Sequence, residues 1–120
     1  SSIQLAALAG AAGSAFAHEL NAFLTVFDKL PDPQHILQHP NELNIPAESL
    51  DLRYAMTVSL ATICTAPQMP NFFKALSKWD KEFSVLGVEI AVRRDTKLVQ
   101  TPAVMEFLQA NKQVMFGIEF

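Results

Sequence analysis

Cysteine is almost missing from this chain: Cys64 stands alone among 120 residues. A lone thiol excludes an intramolecular disulfide framework and fits a reducing cytoplasm, which is the compartment expected here. Basic side chains are scarce as well. Nine Lys and Arg face twelve Asp and Glu, for a net charge of −3. The bases are scattered, so the footprint of a phosphate-backbone binder is lacking and no nucleic-acid partner is expected. The longest stretch without a charge, residues 1–18, is diluted by Gly, Ser and Ala, which argues against a membrane span. It ends near an Ala-Phe-Ala that mimics a signal-peptide cleavage site. No basic residue precedes Lys29, however, and no Met opens the chain. The expectation is a piece of a longer protein that begins inside a helix.

Chemical signatures are equally sparse. The sequence holds no G-x-x-x-x-G-K-[S/T], no G-x-G-x-x-G and no G-x-S-x-G, so neither a phosphate-cradling loop nor a nucleophile elbow is present. Catalytic residues are therefore not expected in this chain.

What is present is apolar and punctuated by proline. Half of the residues are hydrophobic and 18% are charged, enough for one domain spanning residues 1–120 with a core of its own. Leu5, Leu8, Ala12, Phe16, Leu20, Phe23 and Phe27 recur three or four apart and predict a helix over residues 3–29, stopped by Pro31 and Pro33. Residues 30–46 form a proline-rich connection with one helical turn at "QHILQ". After Pro46, "AESLDLRYAMTVSLATICTA" is apolar on nearly all sides beyond Arg53, predicting the most buried helix. Pro67 and Pro70 end it. A third helix opens near Asn71, with Phe72, Leu76, Trp79 and Phe83 as its stripe. The fourth, "FSVLGVEIAVRRD", closes on Arg93 and Arg94, cations suited to a helix C-terminus. Thr101-Pro102 starts a fifth around Val104, Phe107 and Leu108. The tail "VMFGIEF" alternates with period two and predicts a short extended segment. The fold class is all-α, a bundle of about five helices.

The stretch "LPDPQHILQHP", residues 30–40, sets His35 and His39 four apart, and Asp32 or Glu42 could add an oxygen ligand. Pro40 disfavours the α conformation at His39 and no Cys lies nearby, so the expectation is a structural loop without a metal. Cys64, flanked by Ile63 and Thr65, reads as a small buried hydrophobe. Glu48 and Asp51 fall in a first helical turn, where the helix dipole accounts for them. Arg93-Arg94-Asp95 offers a phosphate-clamp reading against ordinary helix-end solvation. Candidate interface residues are Arg93, Arg94, Trp79 and Phe120.

The order of these elements resembles a known pattern. "LPDPQHILQHP", Ile45-Pro46, "LRYAMTVSLA", "MPNFFKAL", "EFSVLGVEIAVRRD", Leu98 and Thr101-Pro102-Ala103 together resemble the C-terminal helical region of bacterial and phage AAA+ ATPases of the MoxR-like type. The likeness covers most of residues 16–107. It implies a non-catalytic domain whose parent carries ATP and Mg²⁺ upstream. It also implies contacts with the parent's own AAA+ core, with neighbouring subunits or with a client protein. The lid arginine of such ATPases is expected upstream, and no Arg precedes Arg53 here. Two departures stand out: "KWDKE" replaces a Leu-Pro break between helices three and four, and the two histidines lie outside the pattern. The alternatives are a stand-alone helical interaction module, or a regulatory domain whose ligand pocket is lined by Phe23, Phe27, Met56 and Phe72.

Overall fold

The computed structural model describes residues 25–112. All the regular elements among them are helical, so the chain is all-α as its periodicity predicts. The described residues open on a last helical turn at 25–27, and Lys29 donates its backbone N–H to Val26 (3.0 Å) as the chain leaves it. Five helices follow: α1 (Pro33–Gln38), α2 (Leu50–Ile63), α3 (Met69–Leu76), α4 (Lys81–Arg94) and α5 (Pro102–Ala110). Single 3₁₀ turns at Pro40–Glu42, Ala66–Gln68 and Thr96–Gln100 join them. Residues 3–24 of the helix predicted over 3–29, and the tail after Lys112, lie outside the described residues.

Local chemistry sets the boundaries. Asp32 is extended between Pro31 and Pro33, and its carboxylate accepts the N–H of Gln34 (3.2 Å), capping α1. At the other end His39 leaves the helical region (φ −133°, ψ 68°), as a residue before proline should. Pro70 occupies the first turn of α3 and Pro102 that of α5, where a missing N–H costs nothing. Thr101 stands at the N-cap of α5, but its hydroxyl makes no capping bond.

Among the described residues α2 and α4 form the most extensive helix pair, and α3 closes over them. Gly87 allows this. A Cβ there would sit 2.6 Å from Phe72 Cζ, 3.2 Å from Leu76 Cδ1 and 3.3 Å from Thr57 Cγ2, so α4 comes close to both neighbours only because the side chain is absent. The connection is as deeply anchored as the helices: Ile36 and Leu37 are each 1% exposed.

Two expectations need correction. α2 is not uniquely buried. Its inner face (Ala55, Met56, Leu60, Ala61) is enclosed, while Leu50 and Tyr54 are exposed and Val58 is half-buried. α4 shares the centre through Phe83, Val88 and Ala91. Nor do Trp79 and Phe83 extend the stripe of α3. That helix ends at Leu76, where the Ser77 hydroxyl turns back to the Lys74 carbonyl (2.9 Å). Asp80 leaves the helical region (φ −57°, ψ 148°) and the chain restarts as α4. The break predicted from a Leu-Pro pair is made here without proline.

Candidate functional site

Among the described residues, the best-assembled group of chemically capable side chains lies on the connection. α1 presents His35 and, at its C-cap, His39; the following 3₁₀ turn swings Glu42 back toward both. His35 Nε2 is 3.0 Å from Glu42 Oε2, and His39 Nδ1 is 3.6 Å from the same oxygen. The two imidazoles lie with centroids 4.7 Å apart. One ligand atom from each of the three residues falls within 4.8 Å of the others. All three side chains are exposed, while the backbone beneath them is fixed. His39 donates its N–H to His35 (2.8 Å), Glu42 to His39 (3.0 Å) and Leu43 to Pro40 (3.4 Å). Asn71 Nδ2 donates to the Leu37 carbonyl (2.8 Å), and Lys78 Nζ to that of Asn41 (3.1 Å). Glu42 was one of the two oxygen ligands the sequence offered; its approach depends on the turn that Pro40 opens rather than on helical periodicity. Asp32, the other oxygen considered, is engaged in capping α1.

The candidate interface residues separate. Arg94 is exposed, but its guanidinium is engaged away from the end of its own helix. Its guanidinium donates to the carbonyls of Ala61 (2.9 Å) and Cys64, the acceptors that α2 leaves unpaired at its C-terminus. Arg93 is exposed. Trp79 is 9% exposed; its ring meets Phe83 edge-on at 5.4 Å and receives the Arg53 guanidinium at 4.9 Å. Phe120 lies outside the described residues.

Cys64 is buried beside Arg94, with its thiol 3.6 Å from Met69 Sδ. Burial pushes the thiol above its ordinary value, and the Arg94 charge offsets only part of that. The thiol therefore stays protonated and unreactive, the behaviour of a packing group.

A shallow apolar groove of about 420 Å³ runs between α3 and α5, with Pro70, Phe73, Ala103 and Phe107 among its lining residues. Phe73 and Phe107 stack at 5.1 Å in its wall. Asn111 closes one end; its Nδ2 donates to the Phe107 carbonyl (2.8 Å), while its buried Oδ1 has no partner among the described residues. Of the four residues that would line the pocket of the regulatory-domain alternative, Met56 and Phe72 are fully buried, Phe27 is half-buried and Phe23 lies outside the described residues.

No protein-family model matches the chain, and no curated protein or solved structure does either. Among the described residues, no helix is long and apolar enough to cross a membrane.

Proposed function

We propose that this chain is a non-catalytic helical domain of a MoxR-like AAA+ ATPase, acting through contacts with its own ATPase core, with neighbouring subunits or with a client protein in the cytoplasm. The observation that carries this reading is where the shared motifs fall. Pro31 and Pro33 bracket the cap of α1, Pro70 opens α3, Arg94-Asp95 closes α4 and Thr101-Pro102 opens α5. Each motif marks an element boundary, in the order that the resemblance implies.

In this reading the chain itself takes no nucleotide. No glycine-rich phosphate loop is encoded, and the Arg53, Lys78 and Arg94 side chains donate to backbone carbonyls instead. ATP and Mg²⁺ accordingly belong to the parent's core in this reading. A second reading, a stand-alone helical interaction module, draws support from the apolar groove between α3 and α5.

The reading frame upstream of Ser1 discriminates between them. A Walker A motif followed by a Walker B acid is the expected finding. A start codon directly before Ser1 sinks the ATPase reading and leaves the stand-alone module. Purified by itself, the chain should show no ATP turnover; turnover proportional to its concentration and surviving repurification contradicts a non-catalytic role.

A further inference from the structure

We propose that His35, His39 and Glu42 form a divalent-cation site that takes Zn²⁺, with two imidazole nitrogens and one carboxylate oxygen as protein ligands and water completing the shell. The donor set is the first reason. Two neutral imidazoles with one carboxylate suit Zn²⁺, and three protein ligands plus water is a coordination that this ion adopts. Geometry is the second. Metal–ligand bonds of about 2.0–2.1 Å at tetrahedral angles place neighbouring ligand atoms about 3.3 Å apart. The observed approaches to Glu42 Oε2, 3.0 and 3.6 Å, bracket that spacing, and all three ligand atoms lie within 4.8 Å. Rotation of exposed side chains closes the remainder without moving the backbone.

Preorganisation is the third reason. The ligands stand on a segment held from beneath: Ile36 and Leu37 are buried, Pro40 is buried, and Asn71 and Lys78 clamp the carbonyls of Leu37 and Asn41. The chain therefore orders little on binding, which lowers the cost of capture. Bound Zn²⁺ links the C-terminal end of α1 to the 3₁₀ turn and stiffens the connection between residues 30 and 46. The site is independent of the ATPase reading and would hold equally in a stand-alone module.

The test uses the untagged chain, stripped with EDTA and titrated with ZnCl₂ by calorimetry. One equivalent is expected to bind in the micromolar range. His35→Ala, His39→Ala and Glu42→Gln should each weaken uptake tenfold or more. At about a hundredfold excess of Zn²⁺ over its Kd, the thermal midpoint should rise by several degrees, EDTA should reverse the rise, and the His35→Ala/His39→Ala double variant should lack it. The substituted side chains are exposed, so circular dichroism should show every variant folded. The site is overturned if the parent chain takes up no Zn²⁺, or if affinity is undiminished in any one of the three variants. It is equally overturned if uptake survives the double histidine variant and disappears in Cys64→Ser.

Discussion

The α2–α4 pair and the connection over residues 30–46 both bury apolar side chains completely, yet they satisfy their backbones differently. In the pair, long helices pair their own peptide groups, and what remains is a problem of shape, solved at Gly87. In the connection, the helical pieces are six and three residues long, so most of their carbonyls have no partner within the element. Donors come from elsewhere. Asn71 serves Leu37, Lys78 serves Asn41, and Arg53 serves Ile45 (3.0 Å) and Pro46 (3.2 Å). Arg94 applies the same device where α2 ends. A short irregular segment can thus be as fixed as a helix, provided that its neighbours supply long polar side chains. Its outer face is then left for histidine and glutamate.

The sharpest way to break this equivalence is from the buried side of the connection. Leu37→Ala removes a side chain that is 1% exposed and should cost about 2–5 kcal/mol. Urea unfolding measures it, and a loss below 1 kcal/mol would mean that the connection is draped over the core rather than built into it. Gly87→Ala probes the other region. Alanine is the better helix former by about 1 kcal/mol, but the new Cβ meets the enclosed Phe72 ring at 2.6 Å. A net loss of about 1–3 kcal/mol is expected from overpacking, and a stabilised variant would show that the ring can yield.

Next comes the borrowed donor. Arg94→Ala leaves the carbonyls of Ala61 and Cys64 without their guanidinium, and should cost about 1–2 kcal/mol, discounted for the exposure of Arg94. It also removes the charge that partly offsets burial at Cys64. With the thiol raised, the folded state favours its protonated form. Any contribution of this group is therefore complete below the ordinary thiol value and fades as pH climbs through the raised one. Thiol labelling at mildly alkaline pH should be slow in the folded chain and fast in denaturant. Fast labelling of the native protein would contradict the burial of Cys64.

Which of these features could be read from the sequence follows from their range. The all-α class, the proline stops and the inner positions of α3 and α5 rest on local periodicity and ring chemistry, and they were legible. The target of Arg94 was not, because Ala61 and Cys64 lie about thirty residues away and only the packing of α2 on α4 brings them near. Trp79 and Phe83 show the opposite failure. Their spacing of four mimics one helix face, yet Trp79 sits in the turn between α3 and α4 and Phe83 on α4, and they meet as an edge-on pair. The histidine cluster was half legible: the pair was visible at i and i+4, and Glu42 could be named as a possible oxygen ligand. Its approach through a 3₁₀ turn, and the exclusion of Asp32 by capping, follow from no helical template.

The smallest expected effect is the most telling about the connection's two faces. Without metal, replacing both His35 and His39 by Ala should change stability by less than about 1 kcal/mol, as is usual at exposed positions. Both rings are about half exposed, and their contacts with Glu42 at 3.0 and 3.6 Å are ion pairs only while an imidazole is protonated. Exposed pairs of this kind contribute about 0–1 kcal/mol. Meanwhile the donors that fix the backbone, Asn71 and Lys78, are untouched by the change. Thermal melts of the EDTA-treated parent and double variant should therefore nearly superimpose. A drop of many degrees in the metal-free double variant would mean that the histidines themselves hold the connection, erasing the division between an inner face that fixes the fold and an outer face left open to a ligand.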